Sequence, residues 1–137
     1  MTFHYMVMAN HAVYNKKLME MLEDTGLTAG QPKVLDYLGG HDGASQKEIA
    51  GHCYIEAATL TSVLNGMEAK GLIERRHLNG NRRTFHIFLT GKGWEQQKRV
   101  QEAFSKIETD TFEGMPEDQV AAFMEQYRRV CEALLSK

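Results

Sequence analysis

The sequence predicts a mostly α-helical fold carrying one small β-hairpin, and three observations point there. Apolar residues recur at a 3.6-residue period in several stretches, as in Leu60, Val63, Leu64 and Met67 or Val100, Ala103, Phe104 and Ile107. Helix starts carry polar caps: Ser45 is followed three residues later by Glu48, and Thr28 by Gln31, the reciprocal arrangement of a capping box. Asn79-Gly80 lies between two strand-like runs, and this dipeptide is the strongest short hairpin signal because both residues tolerate positive φ.

Taken in order, residues 5–22 form the first expected helix, with Val7, Met8, Tyr14, Leu18, Met19, Met21 and Leu22 spread over more than one face. A helix apolar on several sides in so small a protein implies a central position or a partner subunit. Gly26 breaks it, and the Thr28 cap opens a helix through Val34, Leu35 and Leu38 that Gly39, Gly40 and Gly43 end as a loop. Ser45 starts a short helix reaching Cys53 and Tyr54. A further helix covers residues 56–70, with Glu56, Thr59, Thr61, Ser62 and Asn65 off its apolar stripe, and closes at Gly71. Runs 72–77 and 84–89 are the strands. Thr90 caps a helix over residues 91–111, Phe112 to Met115 breaks it, and Pro116 suits the first turn of the last helix. That helix keeps an apolar stripe, with Phe123 and Tyr127, almost to the C-terminus, where an undocked helix would fray.

Arg75, Arg76, Arg82 and Arg83 flank the hairpin turn, a compact positive projection whose natural partner is a phosphate backbone or the minor groove it borders. Short helix, second helix, basic hairpin is the order of a winged helix-turn-helix, in which the second helix enters the major groove. Thr59, Thr61, Ser62 and Asn65 are then the expected reading residues. Hydroxyls bond to phosphates or base edges, a threonine methyl packs on thymine, and asparagine pairs with adenine. Ser45, Arg75, Arg82 and Arg83 complete the candidate DNA-binding set. Arg75 and Arg76 are neighbours on a strand and point to opposite faces, so only one can face DNA.

Thr59-Leu60-Thr61, the phrase from Met67 to Arg75 (MEAKGLIER), Arg82-Arg83 and Leu89-Thr90-Gly91-Lys92-Gly93 together resemble the MarR family of bacterial transcriptional regulators. The resemblance covers nearly the whole chain. It implies one MarR-like domain over residues 1–137, with a winged helix-turn-helix at 29–91 flanked by N- and C-terminal dimerisation helices at 3–24 and 92–136. It also implies a homodimer on a pseudo-palindromic double-stranded operator, helix 56–70 in the major groove and wing 75–87 at the minor groove, most simply as a repressor. Members often bind aromatic or lipophilic effectors in a crevice between the winged part and the dimer helices, for which His11, Tyr14, Tyr37, Tyr54 and Trp94 are the candidates here. The chain departs from the family at Ser62, where an arginine is usual, and at Gly66, often basic. In the wing it has Asn81 for an aspartate and Leu78 for another acid. Gly66 costs about 1 kcal/mol against alanine in mid-helix, which points to a close approach of some backbone there.

Composition bounds the alternatives. With 137 residues, 42% hydrophobic and 25% charged, the chain suits one soluble domain. No membrane-length apolar run or leader pattern is visible, so a cytoplasmic location is the expectation. The net charge of -2 conceals a basic stretch: between Gly71 and Arg99, Arg75, Arg76, Arg82, Arg83, Lys92, Lys98 and Arg99 face only Glu74 and Glu95. The six histidines show no metal-ligand spacing, and neither a metal nor another cofactor is expected. Cys53 and Cys131 read as inert thiols, since peroxide-sensing members carry theirs in the N-terminal helical region. No nucleophile-base-acid set or phosphate loop is present, so an enzyme is not expected. The competing reading is a dimeric winged-helix module for protein interaction, favoured by Ser62 and disfavoured by the arginine-rich wing.

Overall fold

Helix α1 spans Phe3–Met21, α2 Gln31–Gly40, α3 Gln46–Cys53, α4 Ala57–Ala69, α5 Gly91–Thr111 and α6 Glu117–Leu135, with strands β1 Ile73–Arg76 and β2 His86–Leu89 between α4 and α5. The structure is a computed structural model that describes residues 1–136. The chain divides into two compact units, Met1–Ser105 and a second from Lys106 onward.

The core of the first unit is built from the stripes the periodicity marks. Leu35, Leu38, Ile49, Leu60, Leu64 and Ile87 are fully enclosed. Two polar side chains join them, Gln31 and Ser45. Gln31, 2% exposed, accepts through Oε1 from the Thr28 N–H at 3.0 Å and from Lys70 Nζ at 2.9 Å, which ties α2 to the end of α4. Only the glutamine half of the expected second capping box therefore forms, and the residue that caps α2 is Gly30 with φ +86°. Gly66 also finds its reason here. A Cβ at this position would lie 3.0 Å from Gln31 Nε2, so the close approach is to a buried side-chain amide of α2, not to a backbone.

Ser45 caps α3 as its sequence implies, accepting from the Glu48 N–H at 3.1 Å. Strands β1 and β2 pair antiparallel in the register Ile73↔Leu89, Glu74↔Phe88, Arg75↔Ile87 and Arg76↔His86. The ladder is shorter than the sequence suggests, because Thr84 and Phe85 lie outside it. The segment before α3, expected to be only a loop, covers the far edge of β2. Gly43 N–H donates to the Ile87 carbonyl at 2.8 Å, Ile87 N–H to that of Ala44 at 2.9 Å, and Gln46 N–H to that of Phe85 at 3.3 Å. These bonds satisfy an edge that would otherwise expose unpaired backbone groups. They also fasten the start of α3 to the root of the wing.

The hairpin tip turns as its dipeptide demands. Asn79 and Gly80 have φ +54° and +75°, and the Asn81 N–H closes the turn on the Leu78 carbonyl at 3.0 Å. Thr90 caps α5 through its hydroxyl oxygen, which accepts from the Gly93 N–H at 3.0 Å while its own proton goes to the Gly71 carbonyl. An exposed Arg99–Asp24 pair at 2.8 Å links α5 to the 3-10 turn after α1, and the Arg99 hydrogen bond holds the Asp24 carboxyl below its usual range.

In the second unit, Pro116 occupies the cap position of α6 instead of its first turn. Phe112, Phe123 and Tyr127 form a row of tilted ring contacts, with centroids 5.9 and 5.5 Å apart. Arg128 bonds to Glu125 and Glu132 on the polar side of the helix. No residue of α6 is buried.

Candidate nucleic-acid interface

Helix α3 ends at Tyr54, whose φ of +53° is the left-handed conformation that turns the chain sharply into α4. Glu56 then occupies the cap position of α4 without a side-chain capping bond, and the buried stripe Leu60, Leu64 and Met67 leaves Thr59, Thr61, Ser62, Asn65 and Glu68 off the core face. A concavity of about 770 Å³ opens between three elements: Thr61, Asn65 and Glu68 from α4, Gln46 and Lys47 from the first turn of α3, and Arg75, Arg83, Thr84 and Phe85 from the wing. The backbone bond between Gln46 and Phe85 holds two of its walls together.

The expected DNA-facing residues divide by environment. Thr61, Asn65, Arg75 and Arg83 come together in this concavity, whereas Ser62 and Arg82 are exposed outside its lining. Thr59 lines a different crevice. Ser45 is 7% exposed with its oxygen committed to the cap, so it supports the start of α3 and does not itself face solvent. Arg75 has a side chain only 13% exposed and donates to Glu68 at 3.3 Å. Arg76 sits on the other face, 4.4 Å above the Phe88 ring and 2.8 Å from Glu74.

That leaves Arg82 and Arg83, whose guanidinium groups have no partner among the described residues. Asn81 braces this turn where an aspartate would be usual: its Oδ1 accepts the Arg83 N–H at 2.9 Å. His77 stacks on Phe85 at 4.3 Å and bonds through Nδ1 to the Thr84 carbonyl at 3.1 Å, which stiffens the base of the wing.

Gln46, Lys47, Glu68, Thr84 and Phe85 also line the concavity and were not among the residues that sequence reasoning singled out. The signal for the first two was present in the Ser45 cap, since the residues after a cap form the exposed first turn of the helix. Phe85 could not be found, because its alternation assigned it to a longer strand.

The five candidate ligand residues do not share one site. His11 and Tyr54, the latter 72% exposed, line a crevice of about 410 Å³ with Leu18, Lys33, Thr59 and Val63. Tyr14 instead lies 6.2 Å from the Phe104 ring. Tyr37 stacks on His41 with ring centroids 4.2 Å apart and makes a tilted contact with His52 at 4.3 Å. Trp94 is half-exposed in the first turn of α5. The dispersal has a simple cause: aromatic spacing along a chain does not specify which helix faces meet.

Cys53 is buried, its thiol donates to the Lys33 carbonyl at 3.6 Å, and burial pushes its pKa up against the opposing charge of Lys33. An enclosed thiol held protonated reacts slowly. In native protein at pH 7.5, iodoacetamide is expected to label Cys53 at least about tenfold more slowly than in denatured protein; equal rates, read by peptide mass spectrometry, would refute the enclosed thiol. Among the described residues no group of three His, Cys, Asp or Glu side chains could hold a metal ion, and no helix is long and apolar enough to cross a membrane.

Comparison with known proteins agrees with this fold. Among curated relatives, the HTH-type transcriptional regulator TtmR of Methylorubrum extorquens is 35% identical over 85 residues, which are 62% of this chain and 43% of that protein. The HTH-type transcriptional repressor IacR of Pseudomonas putida is 24% identical over 110 residues, 80% of this chain and 66% of that one. The chain thus spans less than half the length of the first relative and about two thirds of the second. Of solved structures, transcriptional regulator PA3341 superposes with a TM-score of 0.87 at 26% identity, covering 99% of this chain and 100% of that one. The DNA complex of MepR from S. aureus has a TM-score of 0.88 at 23% identity, with 98% and 99% covered, a likeness of fold. Residues 27–85, from just before α2 to the wing, match the model of the MarR family, so this segment of the chain is similar to that family.

Proposed function

We propose that this protein is a homodimeric, sequence-specific double-stranded DNA-binding regulator that acts as a repressor, with α4 in the major groove and the wing at the minor groove of each half-site. The observation that carries the reading is the concavity in which Thr61 and Asn65 of α4 meet Lys47 and Arg83 from α3 and the wing. Polar reading groups flanked by cations are what a duplex requires, base edges between two phosphate chains. The same fold has been solved on DNA in MepR and in the repressor CouR, the latter on a 23-mer duplex. The same proposal takes the protein as a non-enzymatic, cytoplasmic regulator.

Selection from a randomised duplex library at about 150 mM salt, where exposed charges are already screened beyond about 8 Å, tests it. A two-fold symmetric enriched site is the expected result. The absence of any cation on the exposed face of α4 favours a second reading, a protein-interaction module, and an unenriched pool from folded dimer would turn the assignment to it.

The second copy is supported by what each unit leaves uncovered. Phe3, Tyr5, Met6, Val7 and Met8 on α1 are exposed, as are Phe123, Met124, Tyr127, Val130 and Leu134 on α6. Apolar patches of this kind mark interaction surfaces, and a two-fold dimer covers such a patch with its own copy. A Tyr127→Glu, Leu134→Glu variant is expected to sediment as a monomer and to lose about 100-fold or more in operator affinity, because two linked half-site contacts become one. An unchanged dimer would exclude α6 from the interface. Effector release belongs to the same proposal: the crevice lined by His11, Lys33 and Tyr54 has room for a small lipophilic or aromatic molecule beside Thr59 at the start of α4.

A further inference from the structure

The DNA-facing side of α4 carries Thr61, Ser62, Asn65 and Glu68, and no lysine or arginine lies anywhere between Ala57 and Ala69. Guanine is read most often by a bidentate cation on its O6 and N7, and the recognition helix has none to offer. The cations of the concavity come from elsewhere: Lys47 from α3, Arg83 from the wing, and Arg75, which is engaged by Glu68.

Thr61 is further restricted. Its hydroxyl proton is donated to the Ala57 carbonyl one turn back at 3.0 Å. A hydroxyl has a single proton, so Thr61 has none left for a phosphate or for the acceptors of a purine. Its methyl group remains, on a β-branched side chain whose χ1 that bond selects. Asn65, four residues on and on the same face, is exposed and offers a paired donor and acceptor that match N7 and N6 of adenine. The two positions are about 6 Å apart along the helix, roughly two base-pair steps at about 3.4 Å per step.

We infer that each half-site is read through A·T pairs, with the Thr61 methyl against a thymine C5-methyl and Asn65 bidentate on an adenine within about two steps, while Lys47 and Arg83 hold the flanking phosphates. The inference rests on the DNA-binding reading above and specifies its sequence class. Ser62 adds no discrimination, because a hydroxyl that can both donate and accept suits several bases.

The test takes the enriched duplex from the selection and replaces each thymine of a half-site in turn by uracil, which removes only the methyl. At one position the wild-type protein is expected to lose about fourfold in affinity, the value of one buried methyl-sized group. Thr61→Ser keeps the hydroxyl and its bond to Ala57 but has no methyl, so it is expected to bind the thymine and uracil duplexes equally. Asn65→Ala is expected to lose preference for one adenine by about fivefold or more. A symmetric site specified by guanine at these steps, or wild-type indifference to every uracil, overturns the inference and leaves DNA binding standing. A pool with no enriched motif overturns both.

Discussion

Gly93→Ala is expected to be the most damaging single methyl added to this chain. A Cβ there would lie 2.0 Å from the carbonyl oxygen of Leu72 and 3.2 Å from Leu89 Cδ2, and the first of these is backbone that no rotamer change can move aside. The same carbonyl accepts the Thr90 N–H at 3.1 Å, and the Gly93 N–H is itself donated to Thr90. Shifting either strand or helix to relieve the clash therefore breaks the junction between β1 and α5. Overpacking of this kind costs about 3 kcal/mol or more, against a typical total of about 5–15 kcal/mol. At constant protein concentration, a drop of roughly 10 °C in melting temperature follows for a domain of this size. Gly91→Ala is the control. It stands two residues earlier on the same helix with nothing within 4 Å of its added Cβ, and its melting point is expected to stay within about 2 °C. A Gly93→Ala protein that melts with the control would mean that α5 is free to move off the start of β1, contrary to the bonds described.

What could be read beforehand follows the range of the interaction. The span of α5, the cap at Ser45 and the turn at Asn79-Gly80 depend on residues within a few positions of one another, and they stand where local chemistry put them. The edge formed by residues 43–46 does not, because it is created by pairing with β2 far along the chain and has no periodicity of its own. Gly66 shows the same limit: its cause is Gln31, on another helix. In the candidate site, the polar side of α4 was legible from the position of its apolar stripe. Its charges were not. Lys47 enters the concavity only because α3 is fastened to the wing, and Arg75 is removed from free display by Glu68, a residue whose spacing along the chain gives no hint of the pair. The dispersal of Tyr14, Tyr37 and Trp94 from the His11 and Tyr54 crevice has the same origin.

Arg82→Ala with Arg83→Ala separates folding from binding at the other end of the molecule. Neither side chain has a partner among the described residues, and the turn between the strands closes through Asn79, Gly80 and Asn81, so the melting temperature of the variant is expected to match wild type. Affinity is expected to fall steeply. Each phosphate contact releases counterions worth about 0.9 in the slope of log K against log salt. Two arginines in each of two subunits then account for a slope change of about 2–4, and for a loss of roughly 30-fold or more near 150 mM salt. The single variants should differ, because Arg83 lines the concavity and Arg82 does not, so Arg83→Ala is expected to carry the larger share. Arg82→Lys with Arg83→Lys keeps the charge and should keep the slope, losing only what the planar guanidinium adds in bidentate geometry. A slope unchanged by the double alanine variant would remove the wing from the interface and leave Lys47 as the cation between α4 and the backbone.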